Sequence, residues 1–218
     1  MEILDFFMQN WSETLRLARQ HVFIVTIAVV IAIFTGVPLG IWITFHRNAA
    51  RIVLYFASIM MTIPSIALFG VMIPILSVFG HGIGNVPAVI ALVLYSQLPI
   101  VRNTYAAIKS VDPSIIDAGV GMGMTRSQVL FSVQMPMAMS VIFAGVRVAV
   151  VMSIGIGAIS AYIGAGGLGH FIFMGITQSY GAMIIAGSIA VSVMAIVADY
   201  AFKLIENRMV SKGLRIGQ

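Results

Sequence analysis

Long apolar runs separated by short polar turns dominate this chain. The first run, Val22 to Phe45, has 24 residues without a charge. As a helix it would be about 36 Å long at roughly 1.5 Å per residue, enough to cross a hydrocarbon core of about 30 Å. Arg16 and Arg19 precede it, but the run is too long for a secretory signal and lacks a clear small-x-small cleavage pattern. We interpret it as a retained membrane-spanning helix.

The second apolar run, Ile52 to Phe79, contains Pro64 and Pro74. Each proline removes a backbone N–H donor, so we expect a kinked or broken helix there. Residues 80–85 then hold three glycines and an asparagine, which predicts a turn.

Three more apolar runs complete the pattern. They are Val86 to Val101, with the helix continuing toward Lys109; Pro136 to Ile163; and Tyr180 to Phe202. Between the last two, the glycines of residues 164–169 break the helix, and residues 171–176 have room for only a short re-entrant or interfacial helix. The sequence therefore predicts an all-α membrane protein with about five transmembrane helices.

Composition excludes a water-soluble fold. Of 218 residues, 60% are hydrophobic and 9% are charged, against roughly 25% charged in a soluble domain. The length leaves no room for a second globular module, so we expect any ATPase or ligand-capture domain to be a separate chain. Without cysteine, the chain has no disulfide framework and no thiolate site.

The basic residues predict the orientation. Two loops and the tail place nine basic residues on one side of the membrane. They are Arg47, Arg51, Arg102, Lys109, Arg126, Lys203, Arg208, Lys212 and Arg215. The other side has only Arg16 and Arg19. The positive-inside rule makes the first side cytoplasmic, with the N-terminus out and the C-terminus in. This also explains the net charge of +5 without nucleic-acid binding. We expect an extracytoplasmic segment at 1–20, a transmembrane domain at 21–202 and a basic cytoplasmic tail at 203–218.

Small residues recur every fourth position along the fourth span. They are Gly145, Ala149, Ser153, Gly157 and Ala161, with a shorter pair, Gly36 and Gly40, on the first span. Small residues let helix backbones approach closely in lipid. The stripe favours packing within the chain, and the open alternatives are contact with a second subunit or a pore lining.

Arg147 is the one charge well inside a predicted span. A basic residue at mid-bilayer costs roughly 2.5 to 3.5 kcal/mol on insertion scales, so something must offset it. One interpretation is that its side chain reaches the cytoplasmic surface; the other is that it faces a water-filled pathway. At about 100° per residue it points away from most of the small stripe.

Motifs for catalysis, nucleotide binding or metal binding have no support. Residues 164–169 match G-x-G-x-x-G, but they follow a membrane helix instead of a strand, so we interpret them as a turn. No P-loop occurs, and His21, His46, His81 and His170 lack metal-ligand spacing. We expect no catalytic residue, no metal site and no cofactor in this chain.

The polar segment between residues 102 and 134 carries the specific pattern. Asp112-Pro113 predicts a helix start. Then come Asp117-Ala118-Gly119, Gly123 and, after nine intervening residues, Val133-x-Met135-Pro136. This resembles the E-A-A-x-x-x-G-x9-I-x-L-P segment of ABC importer permeases, with Asp for Glu, Gly for the second Ala, Val for Ile and Met for Leu. The resemblance implies that a short helix ended by Gly123 docks into a groove on an ATPase, and that Pro136 starts the next span.

Further segments resemble the osmoprotectant branch of these permeases, which imports glycine betaine, carnitine, choline or proline betaine. They are Thr62 to Leu68, Leu98 to Thr104, Val111 to Pro113 and Ile163 to Gly169. The glycine-rich segment is less specific, because methionine and phosphonate permeases have similar ones.

The resemblance implies a type I ABC importer permease in a bacterial cytoplasmic membrane, surrounded by lipid. A second permease chain, identical or related, would pair with it. ATPase subunits holding ATP and Mg²⁺ would dock inside, and a separate substrate-binding protein would deliver the solute from outside. A methionine permease is the alternative within this class. An autonomous secondary transporter is the alternative outside it, but we expect all seven acids to lie outside the spans or at their ends.

Overall fold

Helices form nearly the whole of residues 2–209, the part of the chain that the computed structural model describes. No strand occurs in that range. In chain order the helices are α1 (Glu2–Gln9), α2 (Trp11–Thr44), α3 (Arg47–Thr62), α4 (Ser65–Ser77), α5 (Asn85–Lys109), α6 (Pro113–Gly121), α7 (Arg126–Val129), a π-helical segment (Leu130–Gln134), α8 (Met135–Ile159), a 3₁₀ turn (Ser160–Ile163), α9 (Gly169–Thr177) and α10 (Gly181–Met209).

Four helical stretches in this range are long and apolar enough to cross a membrane, and a bent pair makes a fifth span. The four are Trp11–Thr44, Asn85–Lys109, Arg126–Ile163 and Gly181–Glu206, while α3 and α4 meet at an angle of 101°. A hydrogen bond joins the chain just after the bent pair to the end of another candidate span. The Gly84 N–H, beyond the end of α4, donates to Ile163 O at 2.9 Å, and Ile163 is the last residue of the helical stretch that starts at Arg126. The described residues thus hold four unbroken candidate spans and a fifth, broken one, which agrees with the prediction of about five.

The break between α3 and α4 lies at Pro64. Pro64 lacks an N–H, and Ile63 before it is extended, with φ −70° and ψ 127°. The Tyr95 hydroxyl on α5 donates to Ile63 O at 2.5 Å, which satisfies a carbonyl that the break frees inside the membrane. Pro74 lies inside α4 and does not end it. The predicted broken helix is confirmed, and only the first proline breaks it.

The first spanning helix begins well before the apolar run. α2 starts at Trp11, although we placed the start of the span near Val22. Glu13 in its first turn forms an ion pair with Arg16 one turn later at 2.5 Å, which lets a charged stretch continue the helix. Much of the predicted 1–20 segment is therefore the outer end of α2.

The start of the fourth spanning helix was also predicted too late. Its helical structure runs without interruption from Arg126 to Ile163, so Pro136 does not start it. The start is a capping box: the Thr125 hydroxyl accepts from the Gln128 N–H, and the Gln128 side chain accepts from the Thr125 N–H. The π-helical turn directly before α8 accommodates Pro136 in a continuing helix.

The first and last described helices, α1 and the end of α10, lie on opposite sides. On the outer side, Phe6 of α1 packs edge-to-face on Phe171 of α9, with ring centroids 5.2 Å apart. The short helix expected at residues 171–176 is confirmed as α9. On the inner side, α10 continues past Phe202 to Met209, so the first part of the predicted tail is helical. Residues 210–218 lie outside the described range.

Candidate functional site

Helix α6 is the core of the polar segment at the cytoplasmic ends of α5 and α8. Asp112 caps its N-terminus: the Ser114 N–H donates to Asp112 Oδ1 at 2.8 Å, and Pro113 occupies the first turn. The backbone N–H of Ser114 holds the pKa of the Asp112 carboxyl below its ordinary value. The predicted helix start at Asp112-Pro113 is confirmed.

The C-terminus of α6 is a Schellman motif built on Gly123. The Met124 N–H donates to Gly119 O at 3.1 Å, and the Gly123 N–H donates to Val120 O at 2.9 Å. Gly123 has φ +85°, a left-handed conformation that disfavours any side chain. Gly123 therefore ends the helix through its backbone conformation.

The surface of α6 is exposed and largely apolar. Asp117 and Ala118 are exposed, as are the apolar side chains Ile115, Val120 and Met122. Met122 keeps 78% of its surface exposed. This helix is not among the helical stretches long and apolar enough to cross a membrane. Exposed apolar groups of this kind mark surfaces that bind a protein or a membrane.

The glycines of α6 have different surroundings. A Cβ added to Gly119 would lie 3.3 Å from Met124 Sδ and 3.4 Å from Val129 Cγ2, so this glycine packs against the chain itself. A Cβ added to Gly121 would have no atom within 4 Å. Gly121 thus leaves open space on the surface, where another chain could approach the backbone closely.

α6 connects mechanically to the membrane through α7 and α8. Leu130 of the π segment packs with Ala138 and Ile142 of α8 against the inner end of α5. Val133 is half-buried in the π segment and Pro136 is exposed in the first turn of α8. The structure thus brings Asp117 to Gly123 and Val133 to Pro136 into neighbouring elements. We call residues 112–136 the coupling segment.

The small stripe of α8 faces the other helices of the same chain. A Cβ on Gly145 would lie 2.7 Å from Pro99 O of α5, and one on Gly157 would lie 3.0 Å from Nε2 of His21 on α2. Ser153 Oγ lies 3.0 Å from Ser96 Oγ of α5. Ala149 is buried, whereas Ala161 is half-buried in the 3₁₀ turn. On α2, Gly36 and Gly40 face Ile100 and Thr104 of α5.

Arg147 forms an ion pair with α10. Its Nε donates to Asp199 Oδ1 at 2.5 Å and its Nη2 donates to Asp199 Oδ2 at 2.6 Å. Glu206 Oε2 lies 3.9 Å from Nη1. Asp199 lies within α10, between the middle of that helix and the end of the candidate span Gly181–Glu206. A bidentate carboxylate offsets the cost of placing this half-buried guanidinium inside a spanning helix.

Two polar residues that connect helices were not predicted from the sequence. One is Asp199, and the other is His21, which is 2% exposed. His21 Nε2 lies 3.0 Å from Ile154 O, and its Nδ1 accepts from the Leu168 N–H at 3.2 Å, so the ring ties α2 to α8 and to the glycine-rich turn. For Asp199 a signal existed, because a lone intramembrane arginine requires a carboxylate. For His21 the sequence carried no signal.

The fold defines the class of protein. An inward-facing structure of the methionine ABC transporter MetNI superposes with a TM-score of 0.78 at 20% identity, covering 90% of this chain and 96% of that one. An amino acid ABC transporter superposes with a TM-score of 0.75 at 20% identity, covering 93% of this chain and 97% of that one. The chain has the type I ABC importer permease fold, and the predicted fold class is confirmed.

Family membership follows from sequence. Residues 32–211 match the family described as binding-protein-dependent transport system inner membrane component. The chain is 48% identical over 215 residues to the osmoprotectant import permease protein OsmW of Salmonella typhimurium, covering 99% of this chain and all of that one. It is 38% identical over 214 residues to the glycine betaine/carnitine/choline transport system permease protein OpuCB of Bacillus subtilis, covering 98% of this chain and 96% of that one. The chain belongs to this family, and is a multi-pass protein of the inner membrane.

Proposed function

We propose that this chain is the permease subunit of an ATP-driven importer of quaternary-ammonium osmoprotectants of the glycine betaine, carnitine and choline type. It forms the translocation pathway and does no chemistry itself. ATP and Mg²⁺ bind to separate ATPase subunits, and a second permease chain, identical or related, completes the pathway. An extracytoplasmic binding protein delivers the solute, and nucleic acid has no part.

The exposed coupling segment carries this proposal. α6 presents apolar side chains and the open backbone of Gly121 on the cytoplasmic side, and it continues through α7 into the helix that crosses the membrane. A partner docked on α6 therefore acts directly on a transmembrane helix. Asp117, Ala118, Gly119, Gly123, Val133 and Pro136, the residues that match the permease motif, all lie in this segment.

The relatives support the substrate class. Those at 36% to 48% identity over nearly the whole chain are named for osmoprotectants, carnitine, choline or glycine betaine. The methionine transporter shares 20% identity and hence the fold alone. An autonomous secondary transporter is disfavoured because the two acids of α10, Asp199 and Glu206, already lie beside Arg147.

Competition for uptake tests the substrate class. The permease, its ATPase and its binding protein are expressed together in cells without other osmoprotectant uptake, and radiolabelled glycine betaine uptake is measured at high osmolarity. Excess unlabelled carnitine or choline should reduce it, and excess methionine should not. Reduction by methionine alone would contradict the proposal.

A further inference from the structure

The two halves of α10 are held in different ways. In its outer part, Ala182 and Ala186 are buried at 6% and 0% exposure. A Cβ on Gly187 would lie 2.9 Å from Phe171 Cβ and from Ile172 Cγ1 of α9. From Ser188 to Arg208, no described side chain is buried. The outer part is thus locked into the fold, whereas the cytoplasmic half lies on its surface.

Arg147 of α8 connects to two acids in the cytoplasmic half of α10. Val191, Met194, Ala195, Ala198 and Phe202 pack on the core only as partly buried side chains. Among the described residues, the Arg147 guanidinium donates two hydrogen bonds to the Asp199 carboxylate. We call this bidentate contact the fork. Glu206 lies two helical turns beyond Asp199, hence on the same side of α10, with Oε2 3.9 Å from the guanidinium. The Arg147 side chain is 29% exposed and that of Asp199 is 40% exposed.

Arg147 lies on the helix that starts in the coupling segment. Helical structure is continuous from Arg126 through Arg147 to Ile163, about 30 Å along the axis from Arg126 to Arg147 at roughly 1.5 Å per residue. Both ends of the ion pair are set on long helices, so its geometry depends on how α8 and α10 lie relative to each other. Two parallel hydrogen bonds restrict the relative positions of α8 and α10 more tightly than a single charged contact would.

We propose that Arg147 is a positioning residue that holds the cytoplasmic half of α10 on α8, so that this half moves with α8 when the coupling segment moves. The link to the coupling segment rests on the proposed function; the attachment of α10 does not. The competing explanation is that Arg147 and Asp199 only neutralise each other in the membrane. In that case, an uncharged pair of similar size would leave α10 in place.

Distance measurements on the whole permease chain in lipid nanodiscs test the attachment. Because the sequence has no cysteine, spin labels can be placed on cysteines introduced at chosen sites. One pair, at the exposed Val141 and Leu204, spans the cytoplasmic halves of α8 and α10. A control pair, at the exposed Tyr162 and Ile185, spans their outer ends. The wild-type background should give a narrow distance distribution for both pairs.

Three backgrounds separate attachment from neutralisation. Arg147→Met should broaden and lengthen the inner distance and leave the outer distance unchanged. Arg147→Met with Asp199→Leu removes both charges, and should still broaden the inner distance if the fork holds α10. Arg147→Asp with Asp199→Arg should restore a narrower distribution. An inner distance that is unchanged in the Met-Leu background would overturn the proposal in favour of neutralisation.

Uptake then tests the link to transport. In cells with the whole system, Arg147→Met should lower glycine betaine uptake at least several-fold at equal membrane abundance, and the charge exchange should recover much of it. Full uptake by Arg147→Met with a broadened inner distance would overturn the link between α10 and transport. If the wild-type system transports no osmoprotectant, the proposed function fails, while the nanodisc distances still decide the attachment.

Discussion

Gly145 and Gly155 lie on the same helix in opposite surroundings. Gly145 faces α5 so closely that a Cβ would lie 2.7 Å from both Pro99 O and Asn103 Cβ, whereas a Cβ on Gly155 would have no atom within 4 Å. The four-residue spacing predicted that Gly145 belongs to a packing stripe. The spacing could not show which helix the stripe meets, because that depends on how distant segments assemble. His21 was missed at this scale for the same reason.

Substituting each of these glycines with alanine should distinguish the effect of close packing on stability from the effect of helix propensity. Gly145→Ala forces backbone and side-chain shifts in α5 and should destabilise the fold by about 1 to 3 kcal/mol. Gly155→Ala meets open space and should be neutral or stabilising by up to about 1 kcal/mol. Thermal unfolding of the detergent-solubilised chain measures both. Equal midpoints for the two variants would show that the α8–α5 contact is not as close as the structure has it.

Helix ends are predictable where the determining residues are local. Asp112-Pro113 and Gly123 predict the bounds of α6, since a cap and a left-handed glycine act on their own helix. Pro136 lies in the first turn of α8, but the helical stretch that contains α8 begins earlier, at the capping box of Thr125 and Gln128. That box follows the S/T-x-x-E/Q pattern and was available in the sequence. The 101° bend at Pro64 could be predicted as a break but not as an angle.

The N-cap of α6 can be tested through hydrogen exchange. Asp112→Ala removes the acceptor of the Ser114 N–H and should speed amide exchange in residues 113–121, while Asp112→Asn, which keeps an acceptor oxygen, should change it less. The depressed pKa of Asp112 means that its stabilisation is complete above the unfolded-state pKa and is lost as pH falls through the lower folded value. After correction for intrinsic exchange, wild-type protection should therefore be constant between about pH 6 and 8. Identical exchange in Ala and Asn variants would contradict the cap.

Docking on α6 predicts that a bulky residue at Gly121 stops transport without unfolding the chain. A Cβ at Gly121 would have no atom of the chain within 4 Å and the residue is exposed, so for Gly121→Trp membrane abundance and thermal stability should match the wild type. A tryptophan on this surface should block close approach of the ATPase and reduce uptake at least tenfold. Gly123 is a less suitable test position, because φ +85° makes every substitution strained. Normal uptake by Gly121→Trp would contradict the assignment of the docking surface.

At the scale of the whole molecule, span number and orientation were predictable because lipid imposes them on each segment separately. Apolar length predicts a crossing, and basic loops predict its direction. The arrangement of the five spans was not predictable, because it depends on contacts between distant residues. Arg147 and Asp199 are 52 positions apart, and nothing local to either one specifies the other.

ATP-dependent uptake tests the central claim most directly. The permease is reconstituted in proteoliposomes with its ATPase and supplied with its binding protein and labelled glycine betaine outside. Glycine betaine should accumulate only when ATP and Mg²⁺ are enclosed on the ATPase side, and Gly121→Trp should abolish accumulation. Accumulation by the permease chain alone, driven by an ion gradient without ATP, would contradict the account.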